Sequence, residues 1–96
     1  MSLTGKQRRA LRAIGHHLKP VVQVGQDDVT EGVIAAVDEQ LLAHELIKVK
    51  IGEGASGERD EIGELLAEKT KSELVQVLGR TLLLFRPHPE KPKIQI

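Results

Sequence analysis

The sequence predicts an α/β fold, a two-layer sandwich with the element order α-β-α-β-α-β-β around a four-stranded mixed sheet. Three observations carry this. Segments with a helical apolar period alternate with short aliphatic runs of strand length. LIKVKI, residues 46–51, alternates cleanly: Ile47, Val49 and Ile51 point one way, Lys48 and Lys50 the other. One face of that strand is therefore core, and the other is expected to lie open without a helix over it. Finally, Gly79 and Arg80 separate two apolar runs and suit a two-residue hairpin. Right-handed crossovers make the first three strands mutually parallel, with the second and third helices on one face. The hairpin makes the fourth strand antiparallel, and inserting it beside the second gives the order 1-2-4-3. The first helix is expected to pack beside the other two, arginines outward.

Each element follows from local chemistry. Residues 3–18 form an amphipathic helix with Thr4 as N-cap: Leu3, Leu11, Ile14 and Leu18 share one face, and Arg8, Arg9, Arg12 and His16 fall opposite. Pro20 ends it by disfavouring helix at Lys19. Val21, Val22 and Val24 are a short strand stopped by Gly25. Asp28 through Glu31 has the form of a capping box, so Asp28 is the expected N-cap of a second helix over residues 29–43. Strand 46–51 leads into GEGASG, a flexible glycine loop that lacks the length and Lys-Ser/Thr ending of a P-loop. A third helix over residues 58–71 follows, with acids in its first turn where the dipole favours them. Strands 74–78 and 81–85 close the domain, residues 1–87, and residues 88–96 are a proline-bearing extended tail.

Composition bounds the function. At 96 residues there is one domain, and with Phe85 as the only aromatic its core must be aliphatic. No cysteine means no disulfide or thiolate site, and no long apolar run marks a signal peptide or membrane span, so a cytoplasmic location and no membrane partner are expected. Net charge is zero, yet the charge is polarised: +5 over residues 1–19, −7 over residues 20–71 and +2 over residues 72–96. A chain built this way has one positive and one negative surface.

No nucleophile sits in a recognisable setting, and no histidine is spaced at i, i+4 with another. No enzymatic activity, cofactor, metal or small-molecule substrate is expected. What remains is a one-signed basic helix, a glycine turn entering a helix N-terminus, and Lys48 and Lys50 on the uncovered sheet face. These parts are suited to contact phosphates rather than to break bonds. Without aromatic platforms, structured RNA read by shape and backbone fits better than a specific single strand. The alternative is a non-catalytic protein-interaction or ligand-binding regulatory module using the open sheet face.

Three stretches also carry a resemblance: LTGKQRRALRAIGHHLKPVVQVG, VTEGVIAAVDEQLLAHELIKVKI and VQVLGRTLLLFRP. They resemble the YhbY family, single copies of the CRM domain (chloroplast RNA splicing and ribosome maturation), from about residue 3 to residue 87. The resemblance implies a fold like the C-terminal domain of the third translation initiation factor. It also implies RNA binding and association with ribosomal RNA or a pre-ribosomal large-subunit particle, as a ribosome-assembly factor. The family's basic first helix falls on Lys6, Arg8, Arg9 and Arg12, and its Lys-Pro on Lys19 and Pro20. Its KH-like G-x-x-G loop falls on Gly25, Gln26, Asp27 and Asp28, with Asp28 replacing the second glycine. The hairpin turn carries over to Gly79 and Arg80, and the basic residue after the last strand to Arg86.

Overall fold

Seven elements follow one another along the chain: α1 (Gly5–Gly15), β1 (Pro20–Val24), α2 (Glu31–His44), β2 (Leu46–Ile51), α3 (Arg59–Thr70), β3 (Glu73–Leu78) and β4 (Thr81–Phe85). The computed structural model describes residues 2–96. The sheet order is β1-β2-β4-β3, with β1 parallel to β2 and β4 antiparallel to both of its neighbours. The α/β class, element order and strand order are those the sequence predicts; the layering differs, because α1 covers part of the second face.

Local capping explains where the helices begin. Thr4 and Gln7 form a reciprocal box at α1: the Gln7 N–H donates to Thr4 Oγ1 at 3.1 Å, and the Thr4 N–H to Gln7 Oε1 at 3.0 Å. The helix α2 starts two residues later than the capping-box reading requires. Its N-cap is Thr30, whose Oγ1 accepts the Val33 N–H at 3.1 Å, and not Asp28. Asp28 stands outside the helix at φ 55°, a left-handed conformation that aspartate tolerates better than most residues. Both positions carry a good capping side chain. Thr30 prevails because the carboxylate of Asp28 is taken elsewhere.

The sheet has two cores, one on each face. On the first face α2 and α3 pack over Ile47, Val49, Ile51, Leu82 and Leu84, forming the two expected layers. On the second face Leu11 of α1 packs with Leu46, Val75, Leu83 and Phe85, helped by Leu3, Leu18 and Ile94. So α1 does not lie beside the other helices, as expected, but across the opposite face. The cause is in β4: TLLLF has no polar alternation, so Leu83 and Phe85 point away from the first core and need a cover of their own. Gly15 permits it, since a Cβ there would come within 2.7 Å of Leu83 Cδ1.

Two devices tie this second face down. The register of β3 against β4 shifts between Leu74 and Gln76, and the Arg8 Nη1 donates to the carbonyls of both Leu74 and Val75, each at 2.8 Å. A β-bulge leaves ladder groups unpaired, and the guanidinium supplies the missing donors. At the other end, Glu45 follows α2 at φ 67° and is buried, with only 3 % of its surface exposed. Its carboxylate accepts the N–H groups of His88 at 2.7 Å, Lys93 at 2.8 Å and Ile94 at 3.0 Å. The tail is thereby strapped to the body, and Ile94 reaches the second core.

Candidate nucleic-acid interface

Because α1 crosses only one end of the second face, that face is divided. Along β2, Leu46 lies beneath the helix cluster, Lys48 is half-buried at its margin, and Lys50 is exposed beyond it. The margin is a groove of about 420 Å³. Arg12 and His16 of α1 line one side, and Lys48, Pro20, Gln76 and Thr81 belong to the sheet side. Among the described residues, no acidic one lines it. Arg12 and His16 are one helical turn apart, so both project from the same side of α1.

From the groove the sheet leads to a second group of candidates. Lys50 pairs with Gln23 of β1 and with Thr81 of β4. At that end lie the turn that opens at Gly25 and the β3–β4 hairpin. Gly79 takes φ 58° there, as a two-residue hairpin requires, and Arg80 Nη1 donates to the Gly52 carbonyl at 3.3 Å. The structure therefore brings Arg12, Lys48 and Lys50 into one continuous track that runs toward Gly25. The Arg80 side chain instead lines a separate pocket with Glu58, Arg59 and Asp60 at the start of α3. Lys6 and Arg9 are exposed on α1, while Gln26 and Asp27 are exposed in the turn.

Other candidates are placed differently. Arg8, expected on the outward basic face, is half-buried and committed to the β3 carbonyls. Arg86 pairs with Asp38 of α2 at 2.6 Å and donates to the Thr70 carbonyl, the end of α3, at 2.7 Å. It clasps two helices on the other face and has no free charge to offer the track. Lys19 lines a separate, mostly apolar groove with Ile14, Val21, His44 and Ile94.

Asp28 has a role that its neighbours in sequence do not reveal. Its carboxylate accepts the Ser56 N–H at 2.9 Å, the Ser56 hydroxyl at 2.8 Å and the Gly57 N–H at 3.3 Å. The Ser56 hydroxyl, followed by the Gly57 amide, holds the Asp28 carboxyl below its ordinary value despite some desolvation. The glycine-rich loop after β2 is thus pinned to the turn after β1. Asp28 still adopts the left-handed backbone that a glycine would take, so the turn keeps its path while the carboxylate faces the other loop. Gln76 and Glu45 escaped the sequence reading of functional residues. Their signal was a polar residue inside an apolar run, LVQVL and HELI respectively.

With this geometry in hand, comparison with known proteins is decisive for ancestry. The model of the CRS1 / YhbY (CRM) domain matches residues 3–86. This chain belongs to that family. As a CRM domain it is 38 % identical over 94 residues to the Bacillus subtilis protein named Probable RNA-binding protein YqeI, covering 98 % of each chain. It is 44 % identical over 96 residues to Probable RNA-binding protein PA4753 of Pseudomonas aeruginosa, covering 97 % of this chain and 89 % of that one. Among solved structures, the CRM domain superposes with a TM-score of 0.84 on the solution structure of SAV1595 from Staphylococcus aureus, a hypothetical protein described as a candidate RNA binder. That match has 38 % identity and covers 99 % of both chains. The family model stops where β4 ends, so the tail held by Glu45 lies beyond it.

Proposed function

We propose that this CRM domain is a non-catalytic RNA-binding protein of the cytoplasm that acts in assembly of the large ribosomal subunit. One observation carries the RNA reading: the sheet separates the charges. Its α1 side presents Lys6, Arg9, Arg12, Lys48 and Lys50, while α2 has three acids and no lysine or arginine on the opposite side. A polyanion meets the first surface and is repelled by the second. The relatives' names point the same way. Phosphates are contacted along the track from Arg9 and Arg12 over Lys48 and Lys50 to the turn at Gly25. The backbone and shape of structured RNA suit so spread a set of cations.

The test is salt dependence. Binding of a large-subunit ribosomal RNA fragment is measured at several salt concentrations for the parent and for a variant with Arg9, Arg12 and Lys48 all changed to alanine. The variant's log–log slope is expected to flatten by about one unit for each phosphate that is no longer neutralised. An unchanged slope in a folded variant removes this surface from the interface. Binding that ignores salt points instead to an apolar partner on the uncovered part of the sheet. Sedimentation of tagged protein from cell extract addresses assembly: comigration with large-subunit precursors is expected, and recovery only at the top of the gradient removes the ribosomal reading.

A further inference from the structure

We propose that the groove between α1 and the sheet holds a single unpaired nucleotide of the bound RNA, with its base inserted against the sheet. The inference rests on the RNA-binding reading above and adds a subsite to it. Phosphate contacts need only cations on an open surface, and Lys50, Lys6 and Arg9 already satisfy that. The groove is built differently. Its floor includes Leu83 of β4 and Pro20 of β1, and Leu78 stands at its edge. Leu78 is 65 % exposed, the most exposed large apolar side chain among the described residues. Aliphatic surface gives a phosphate nothing, but it gives the flat face of a base a dry contact.

The α1 wall completes the fit. Arg12 and His16 both carry planar π groups, and guanidinium and imidazole planes are the surfaces on which RNA-binding proteins stack unpaired bases. The rings of His16 and His17 lie 5.4 Å apart and nearly perpendicular, at 79°, so His17 braces His16 edge-on. The chain's shortage of Phe, Tyr and Trp therefore does not leave it without a stacking surface.

The sheet side supplies polar atoms for a base edge. Among the described residues, the Gln76 side-chain amide and the Thr81 hydroxyl have no hydrogen-bond partner, although both residues are half-buried. An amide offers two donors and an acceptor, enough to meet the Watson–Crick edge of a base. The β3 irregularity places it there. Gln76 pairs with Leu83, so it faces α1 as Val75 does in the second core, and the register shift lets both lie on that side. Lys48, which pairs with both Pro20 and Leu83, sits where the nucleotide's own phosphate would be held. The volume of about 420 Å³ lies within the roughly 300–1,000 Å³ of small-ligand clefts.

The experiment uses the whole chain and three RNA hairpins of one sequence: fully paired, with one bulged nucleotide, and with the same bulge made abasic. Affinities are read by anisotropy at fixed salt. The bulged hairpin is expected to bind about tenfold tighter than the other two, the lower range of what one stacked base contributes. Leu78→Ser should abolish that advantage while leaving affinity for the paired hairpin unchanged. Gln76→Ala should remove any discrimination among the four bases at the bulge. A 2-aminopurine in the bulge should change fluorescence on binding to the parent and not to Leu78→Ser. Equal, measurable affinity for all three hairpins overturns the nucleotide subsite and leaves RNA binding standing. So does an advantage shared by the abasic bulge, which reports bending rather than a bound base. Failure to bind any hairpin overturns the RNA reading itself.

Discussion

The two faces of the sheet are built from the same β2 and β4 yet do opposite work. On the α2/α3 face every inward side chain of these strands is aliphatic and fully covered: Val49, Leu82 and Leu84 have no exposure at all. On the α1 face the same strands pass from buried Leu46 and Phe85 under the helix, through half-buried Lys48, to exposed Lys50 within a few residues. The closed face contributes stability and presents an acidic exterior. The half-closed face gives up part of its burial and in exchange exposes cations, an apolar floor and unpaired polar atoms at one margin. Helix placement makes the difference: two helices cover a sheet of this size, and one leaves an edge.

The largest contrast should appear when the closed face is cut. Leu82→Ala removes a fully buried side chain from a central strand and should cost about 2–5 kcal/mol. The denaturant midpoint measures it, and a destabilisation below about 1 kcal/mol would mean that the first core is loosely packed.

Next comes the strap. Burial pushes the Glu45 carboxyl up, but the N–H groups of His88, Lys93 and Ile94, with the His88 charge, outweigh it and hold the group below its ordinary value. A depressed folded value means that this stabilisation is complete above the ordinary carboxylate range and fades as pH falls through the folded value. Glu45→Gln should therefore lower stability by about 2 kcal/mol near neutrality, and the gap to the parent should narrow in acid. Faster hydrogen exchange at Lys93 and Ile94 should accompany it. A gap independent of pH would show that the charge on Glu45 is not what holds the tail.

A smaller effect separates two neighbouring arginines. Arg8→Ala strips two hydrogen bonds from the β3 carbonyls and should cost about 1–2 kcal/mol, whereas exposed Arg9→Ala should stay within about 0.5 kcal/mol. The order should reverse for RNA affinity, which Arg9→Ala should weaken more than Arg8→Ala does. Thermal melts and binding isotherms on the same two proteins decide this. The smallest change expected is Lys48→Ala, within about 0.5 kcal/mol in stability but with a measurable fall in RNA affinity. A larger destabilisation would make Lys48 a packing residue of the second core.

What sequence reading could reach was whatever depends on neighbours along the chain. The period of each segment, the Thr4 cap, the Lys48/Lys50 alternation and the Gly79 hairpin all arise from interactions within a few residues, and with crossover handedness they sufficed for the sheet order. The segregation of charge was equally legible, because it is a property of composition by segment. Interactions between distant segments were not. Asp28 and Thr30 are both good caps, and only the arrival of Ser56 and Gly57, 28 and 29 residues on, takes Asp28 away. Arg8 belongs by period to a basic face, and only the shifted register of β3, 66 residues away, turns it inward. The side on which α1 packs follows from Leu83 and Phe85 needing cover, yet an unalternating TLLLF equally describes a strand sealed by other means. Local geometry is set by short-range sterics and hydrogen bonding. Which of several competent groups is used, and which face stays open, depends on what the fold brings alongside.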